Sequence, residues 1–229
     1  MFVNPPYLVK KILNENLIWE IPVSKKEIFV TFDDGPTTEL TEWILDTLKK
    51  FNAKATFFCV GNNVKKHPEL HQKILQDGHS IGNHTFDHLN GWKSATKDYL
   101  RNVIQCSKYI ESELFRPPYA KIKPMQIEGL KNRFSIVQWS VMSYDYDNTI
   151  SMETCLDNVI NHSKRGSIVV FHDNLKAKEN LFYTLPRFLE YFSKKRFHFE
   201  PLTKEKCLQS LELTVKKNKL FKPKDWQNQ

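Results

Sequence analysis

Residues 28–36 read Ile-Phe-Val-Thr-Phe-Asp-Asp-Gly-Pro, an apolar, β-branched run that stops on two carboxylates. Its first part, 28–31, is expected as a short buried strand, and Asp, Gly and Pro behind it favour a turn. Downstream, Leu40, Ile44, Leu48 and Phe51 recur at intervals of four, four and three, the period of an amphipathic helix. The same alternation continues along the chain. Strands are expected at 55–60, 80–82, 114–115, 134–139, 167–171 and 197–199. Between them lie helix patterns carrying Leu70, Ile74 and Leu75 behind Pro68, then Tyr99, Val103, Ile104 and Ile110, then 155–162 and 181–192. Strand–helix alternation over the whole length means an α/β fold of about seven parallel strands with crossover helices, either a barrel or a doubly wound sheet.

Composition supports one globular unit. Of 229 residues, 40% are apolar and 16 are Phe, 8 Tyr and 5 Trp, which is enough to build a core. Seven glycines exclude a Gly-rich or collagen-like scaffold. No apolar run approaches the roughly 18 residues of a membrane helix, and Asn4, Lys10, Lys11, Asn14, Glu15 and Asn16 interrupt the amino end. Neither a transmembrane segment nor a secretory signal is expected, and the location stays open. Thirty-four basic against 26 acidic side chains give +8, which favours polyanions non-specifically. Much of the excess falls in Lys216, Lys217, Lys219, Lys222 and Lys224, a run expected as a solvated tail. The four cysteines, spread about 50 residues apart with no CxxC pair, are expected as buried free thiols rather than a disulfide framework or a zinc site.

Chemically capable side chains follow strand after strand: Asp33 and Asp34, His84, Arg116, Asp145 and His172. In a parallel α/β fold those strand ends share one side, where barrel enzymes keep their active sites. His84 and His88 are four apart, a spacing that lets two imidazoles reach one ion, with Asp34 available as an anionic third ligand and a position left for water. The pair His67 and His71 has the same spacing but sits beside Pro68 in a Lys/Glu-rich helix start, and is expected to bind nothing. The Asp33-Asp34 pair has two readings. It is a turn, or it divides labour, one Asp on an ion and its neighbour free to take a proton from water.

The chain resembles the polysaccharide deacetylases, the NodB-homology domain or carbohydrate esterase family four. Five motifs appear in the family's order across about 28–202. Thr31-Phe-Asp33-Asp34-Gly-Pro36 is unbroken, His84-Thr-Phe-Asp-His88 is the histidine motif, and Arg116-Pro-Pro-Tyr119 the third. The fourth runs Trp139 to Tyr146, and Val170-Phe-His172 is the fifth. Met142 replaces the fourth motif's first Asp, Tyr146 its final Trp, and Ala120 stands where many members have Gly.

The resemblance implies a distorted (β/α) barrel and a hydrolase removing N-acetyl, or O-acetyl, groups from a carbohydrate of the chitin or peptidoglycan type. It implies that Asp34, His84 and His88 hold Zn2+ or another divalent ion such as Co2+. Asp33 would be the general base, oriented by Arg116; the Tyr119 N–H would stabilise the oxyanion; His172 would be the general acid, tuned by Asp145. Trp92, Tyr119, Tyr144 and Tyr146 are candidates to line a sugar groove. Trp139 and Phe171 read as core. The domain expectation is an extension at 1–24 packing on the barrel, a catalytic domain at 25–205 and a basic tail at 206–229. The expected partner is an N-acetylated carbohydrate met by a monomer, and no recognition motif points to a specific nucleic acid. The alternatives are a non-catalytic sugar- or polyanion-binding protein on this scaffold, or a hydrolase of another small amide.

Overall fold

In a computed structural model, which describes residues 3–6 and 15–220, nine short strands form one sheet. They are β1 (Leu17–Ile18), β2 (Glu27–Asp33), β3 (Ala55–Cys59), β4 (Ser80–Asn83), β5 (Leu114–Phe115), β6 (Ser135–Val137), β7 (Val141–Met142), β8 (Ile168–His172) and β9 (His198–Phe199). The order is β1-β6-β5-β4-β3-β2-β8-β7, with β9 beside β2, and each named pairing is parallel. Helices α1 (Thr41–Lys50), α2 (Gly61–Lys66), α3 (Pro68–Gln76), α4 (Thr96–Cys106), α5 (Pro124–Leu130), α6 (Met152–His162) and α7 (Lys178–Lys194) lie between strands. The sheet curls into the distorted (β/α) barrel that the family resemblance implies, not the doubly wound sheet that the alternation alone left open. Its seam is narrow. Gln138 N–H donates to the Ile18 carbonyl, Ser140 N–H to that of Ile168 and Ile21 N–H to that of Gly166, at 2.7, 3.0 and 2.9 Å.

Strand parity sorts the core. Ile28, Val30 and Phe32 of β2 face the helices, packed with Phe57, Phe171 and Phe188. The alternate residues face inward, where Phe29 packs with Phe58, Ile168 and Val137. Gly82 of β4 belongs to this layer: a Cβ there would come within 2.4 Å of the Phe58 ring, so only glycine fits. Phe171 is fully buried, and Trp139 packs against Trp19 with ring centroids 6.1 Å apart.

Besides the short helices α2 and α5, three elements were not expected from the sequence. β1 pairs with β6, and Met142 N–H donates to the Val3 carbonyl, so both described parts of the 1–24 extension join the sheet region. β7 is a two-residue strand beside β8. The third is α8 (Lys204–Leu220), which continues into the stretch expected as a tail; 221–229 lie outside the described residues. Leu202 and Cys207 close the base of the barrel at 0% exposure. Lys206 reaches Glu27 at 3.1 Å and lies over the Phe29 ring. All four cysteines are buried and free. No helix among the described residues is long and apolar enough to cross a membrane.

Candidate active site

The C-terminal ends of β2, β4, β5, β7 and β8 meet on one rim, which carries Asp33, Asp34, His84, Arg116, Asp145 and His172. The backbone there is unusual. Asp34, Thr85, His88, Tyr119, Ala120 and Tyr144 all hold positive φ, from 54° to 80°. Among the described non-glycine residues only Asn52 and Arg196 share it elsewhere, next to helix ends. Left-handed geometry costs energy in these residue types and persists where surrounding bonds over-determine it.

Asp34, His84 and His88 are the one group of three or more potential metal ligands among the described residues, with ligand atoms all within 4.8 Å of one another. Asp34 Oδ1 lies 3.6 Å from His84 Nε2 and 3.0 Å from His88 Nε2. His84 Nδ1 is 2.8 Å from the Arg116 carbonyl, an acceptor, so that nitrogen carries a proton and Nε2, turned to Asp34, is the nitrogen left for a cation. Burial pushes the Asp34 carboxyl up, but its bonds to His84 and His88 outweigh this and hold it well below the usual carboxylate range. An anionic oxygen and a neutral imidazole nitrogen are the donors a zinc-type cation needs, so the residues fit such an ion. His67 and His71 join no such cluster: His67 faces Glu69 at 3.6 Å, and His71 is buried, which lowers its pKa.

The neighbouring carboxylate goes elsewhere. Asp33 Oδ1 accepts from Arg116 Nη1 at 2.7 Å. Arg116, 1% exposed, also donates to Thr31 Oγ1 and the Gln138 carbonyl and lies 4.1 Å from the Phe58 ring centroid. The guanidinium thus spans the barrel interior and cannot turn away from Asp33.

One strand over, on β8, His172 Nδ1 is 2.7 Å from Asp145 Oδ1, and the His172 backbone N–H donates to Asp145 Oδ2 at 2.8 Å. Ser143 Oγ donates to Asp145 Oδ1 at 2.9 Å. Burial pulls the imidazole down, but Asp145 outweighs it and raises His172 to about 9. Tyr146 sits edge-on to His172 with centroids 4.7 Å apart, and burial pushes its phenol up to about 12. Tyr144 is buried with Met142 and Val170, so its ring is largely core rather than groove wall. Tyr119 is 59% exposed beside the His88 ring, and among the described residues no acceptor engages its N–H. Trp92, exposed, donates to the Ile122 carbonyl and carries Lys121 over its ring.

Three supporting residues went unread in the sequence. Asn63 donates to the Asp34 carbonyl at 2.8 Å and Asn174 to Asp34 Oδ2 at 2.5 Å. Asp173, fully buried, accepts from Thr37 and Thr41 hydroxyls at 2.7 and 2.6 Å, while burial raises its carboxyl to about 6. Only the adjacency of 173–174 to His172 could have singled any of them out. A pocket of 340 Å³ opens beside the cluster, lined by Asp34, Val60, Asn62, Asn63, Asp87 and His88. Larger clefts, 760 and 590 Å³, lie at Glu20–Val23 with Phe197 and on the outer face of α4, away from all of these groups.

The polysaccharide deacetylase family model matches residues 20–132. A peptidoglycan-N-acetylglucosamine deacetylase of Bacillus cereus is 32% identical over 189 residues, which cover 79% of this chain and 88% of that protein. This chain belongs to the polysaccharide deacetylase family. A second Bacillus cereus protein of the same description is 39% identical over 66% of the chain, which spans only 57% of that relative. Among solved structures, a peptidoglycan N-acetylglucosamine deacetylase in complex with 4-naphthalen-1-yl-N-oxidanyl-benzamide is 32% identical, with a TM-score of 0.74 over 82% of this chain and 91% of that one.

Proposed function

We propose that this member of the family is a metal-dependent hydrolase that removes acetyl groups from N-acetylated sugars, with N-acetylglucosamine-containing oligo- or polysaccharide of the peptidoglycan type as its substrate class. The observation that carries this reading is the parting of the two adjacent carboxylates, Asp34 to the histidines and Asp33 to Arg116. The substrate class rests on the relatives whose described substrate is peptidoglycan.

Asp34, His84 and His88 would hold zinc or cobalt, which when bound supplies Lewis acidity and brings the pKa of water to about 7. Asp33 takes the proton from the attacking water, and Arg116 fixes the carboxylate for that transfer. The Tyr119 N–H is a donor for the charge that develops on the acetyl oxygen, a contribution worth about 3 kcal/mol. His172, whose protonated form Asp145 favours, delivers a proton to the departing amine nitrogen, without which an amide expels a poor leaving group. Tyr146 and Tyr119 offer aromatic surface at the rim for a sugar ring.

The test is a deacetylation screen over N-acetylated chito-oligomers, peptidoglycan fragments and O-acetylated xylan, read by mass spectrometry. Loss of acetyl mass from the first two with acetate released is the expected result. Sugar binding with no acetyl loss in any metal-loaded sample would replace the enzyme by a binding protein on the same scaffold.

A further inference from the structure

We propose that Asn174 is a positioning residue that decides which oxygen of Asp34 faces the histidine pair. The inference rests on the reading that Asp34, His84 and His88 hold a divalent cation. The Asp34 carboxylate is held at both oxygens: Oδ1 meets the two imidazoles, and Oδ2 accepts from Asn174 Nδ2.

The direction of the Asn174 amide follows from chemistry. Its Oδ1 accepts the N–H of Ala177, capping the short helical turn Leu175–Ala177, so the amide nitrogen is the end turned to Asp34. The segment carrying Asn174 is itself fastened to the turn it supports. Asp173 N–H donates to the Asp33 carbonyl at 2.8 Å, extending the pairing of Asp33 with His172, and the Asp173 carboxylate takes both Thr37 and Thr41 hydroxyls. Asn63 holds the Asp34 carbonyl from the other side, and the φ of 80° at Asp34 shows a backbone fixed by these partners. Asn63 therefore sets the main chain and Asn174 the side chain. With Oδ2 engaged, Asp34 offers a cation one oxygen, which leaves further coordination positions to water and an acetyl oxygen. Freed, the carboxylate can swing to chelate through both.

Co2+ titrated into purified protein from which divalent ions have been stripped tests this, read by calorimetry and by the visible absorption of the ion, whose intensity falls as coordination number rises. Asn174→Ser keeps a good helix cap but lacks the amide's reach. We expect its Co2+ affinity to fall about 10- to 100-fold, the usual cost of losing an outer partner of a metal ligand, with a weaker visible band. Asn174→Ala should melt lower than the Ser variant yet bind Co2+ alike. If Asn174→Ser does not fold, the isosteric Asn174→Asp, which also caps, should still change the band because it has no N–H to give. Wild-type affinity and an unchanged band in a folded variant would overturn the positioning role alone. A wild-type protein that takes up no Co2+ would overturn the metal reading and this one with it.

Discussion

The base and the rim of the barrel are built from the same strands but obey different economies. Along β2 the inward positions run Phe29, Thr31, Asp33, and along β8 they run Ile168, Val170, His172. At the base these side chains meet Leu114, Val137, Leu202 and Cys207 in an apolar plug; at the rim they meet Arg116, Asp34 and Asp145. The plug stabilises by area removed from water, at about 25 cal/mol per Å². The rim sets charges in a poorly solvated place, which is tolerable only when each has a partner. Six of the eight described non-glycine residues with positive φ lie at the rim, and only Asn52 and Arg196 lie in helix-to-strand turns at the base. Stability and chemistry are thus separated along the axis of each strand, and substitutions at the two ends should fail in different ways.

The largest effect should come from the metal side of the rim. His84→Ala/His88→Ala should leave less than a tenth of the divalent ion found in wild type by elemental analysis and abolish deacetylation, whereas the same double change at His67 and His71 should leave metal content as it was. Full ion content in the first variant would end the ligand assignment. Next is the base. Asp33→Asn should retain the ion, because Asp34 is the ligand, and lower kcat by about two or more orders of magnitude, the usual worth of a positioned base. Loss of metal in that variant would show that the two carboxylates do not divide their roles. At the other end, Leu202→Ala empties a fully buried site and should cost about 2–5 kcal/mol of stability by denaturant unfolding, with kcat at low temperature unchanged. A matching drop in kcat there would show that base and rim are coupled.

A smaller effect, on pH, distinguishes the walls of the rim. His172 is raised from 6.5 to about 9, so the paired, protonated form favours the folded state. That contribution is complete below pH 6.5 and is lost as pH rises through about 9. Activity on an N-acetyl sugar should fall on its alkaline limb as His172 loses its proton. A cation bound at Asp34 repels a protonated imidazole and draws that limb below 9. Asp145→Asn removes the charge that holds the proton and should move the limb further toward 6.5, measured as kcat/KM against pH. An unmoved limb would take His172 out of the acid's role. His172→Ala should also hurt an N-acetyl sugar more than an aryl acetate, whose leaving group needs no proton.

The long strands and the rim chemistry were legible because both leave local marks. β2, β3 and β8 are apolar runs bounded by turn residues, and the motif side chains stand directly behind them. The missed elements lack such marks. β1 and β7 are two residues each, held by pairing rather than by propensity. In α8 the inward stripe of Cys207, Ser210 and Leu211 is blurred by Leu208 and Leu213, which are 44% and 42% exposed, so neither apolar period nor burial could be read there. Asn63 and Asn174 escaped for another reason. Asparagine between secondary-structure elements reads as turn or cap, and what each donates to is set by tertiary contact 29 and 140 residues away. Trp92, in a rim loop, remains 57% exposed with Lys121 on its ring.

The finest test falls on Met142, where the family's usual Asp is absent. Met142 pairs with Val170 on β8 and packs with Tyr144, its side chain 9% exposed, so this part of the rim follows the base's rule rather than the rim's. A carboxylate at 142 would stand in an apolar patch of Val170, Tyr144, Trp139, Tyr146 and Ile150, and burial there would push its pKa up. Because Asp34, His84 and His88 follow β2 and β4, and β8 separates β2 from β7, Met142→Asp should leave metal content unchanged. It should instead shift KM on N-acetylated oligomers by about threefold to tenfold, a difference of roughly 1 kcal/mol, since Tyr144 and Tyr146 rest on this patch. A changed metal content would show that the apolar patch supports the cation site after all. If the wild-type chain proved inert and Met142→Asp made it active, the methionine would be the lesion that separates this chain from a working deacetylase.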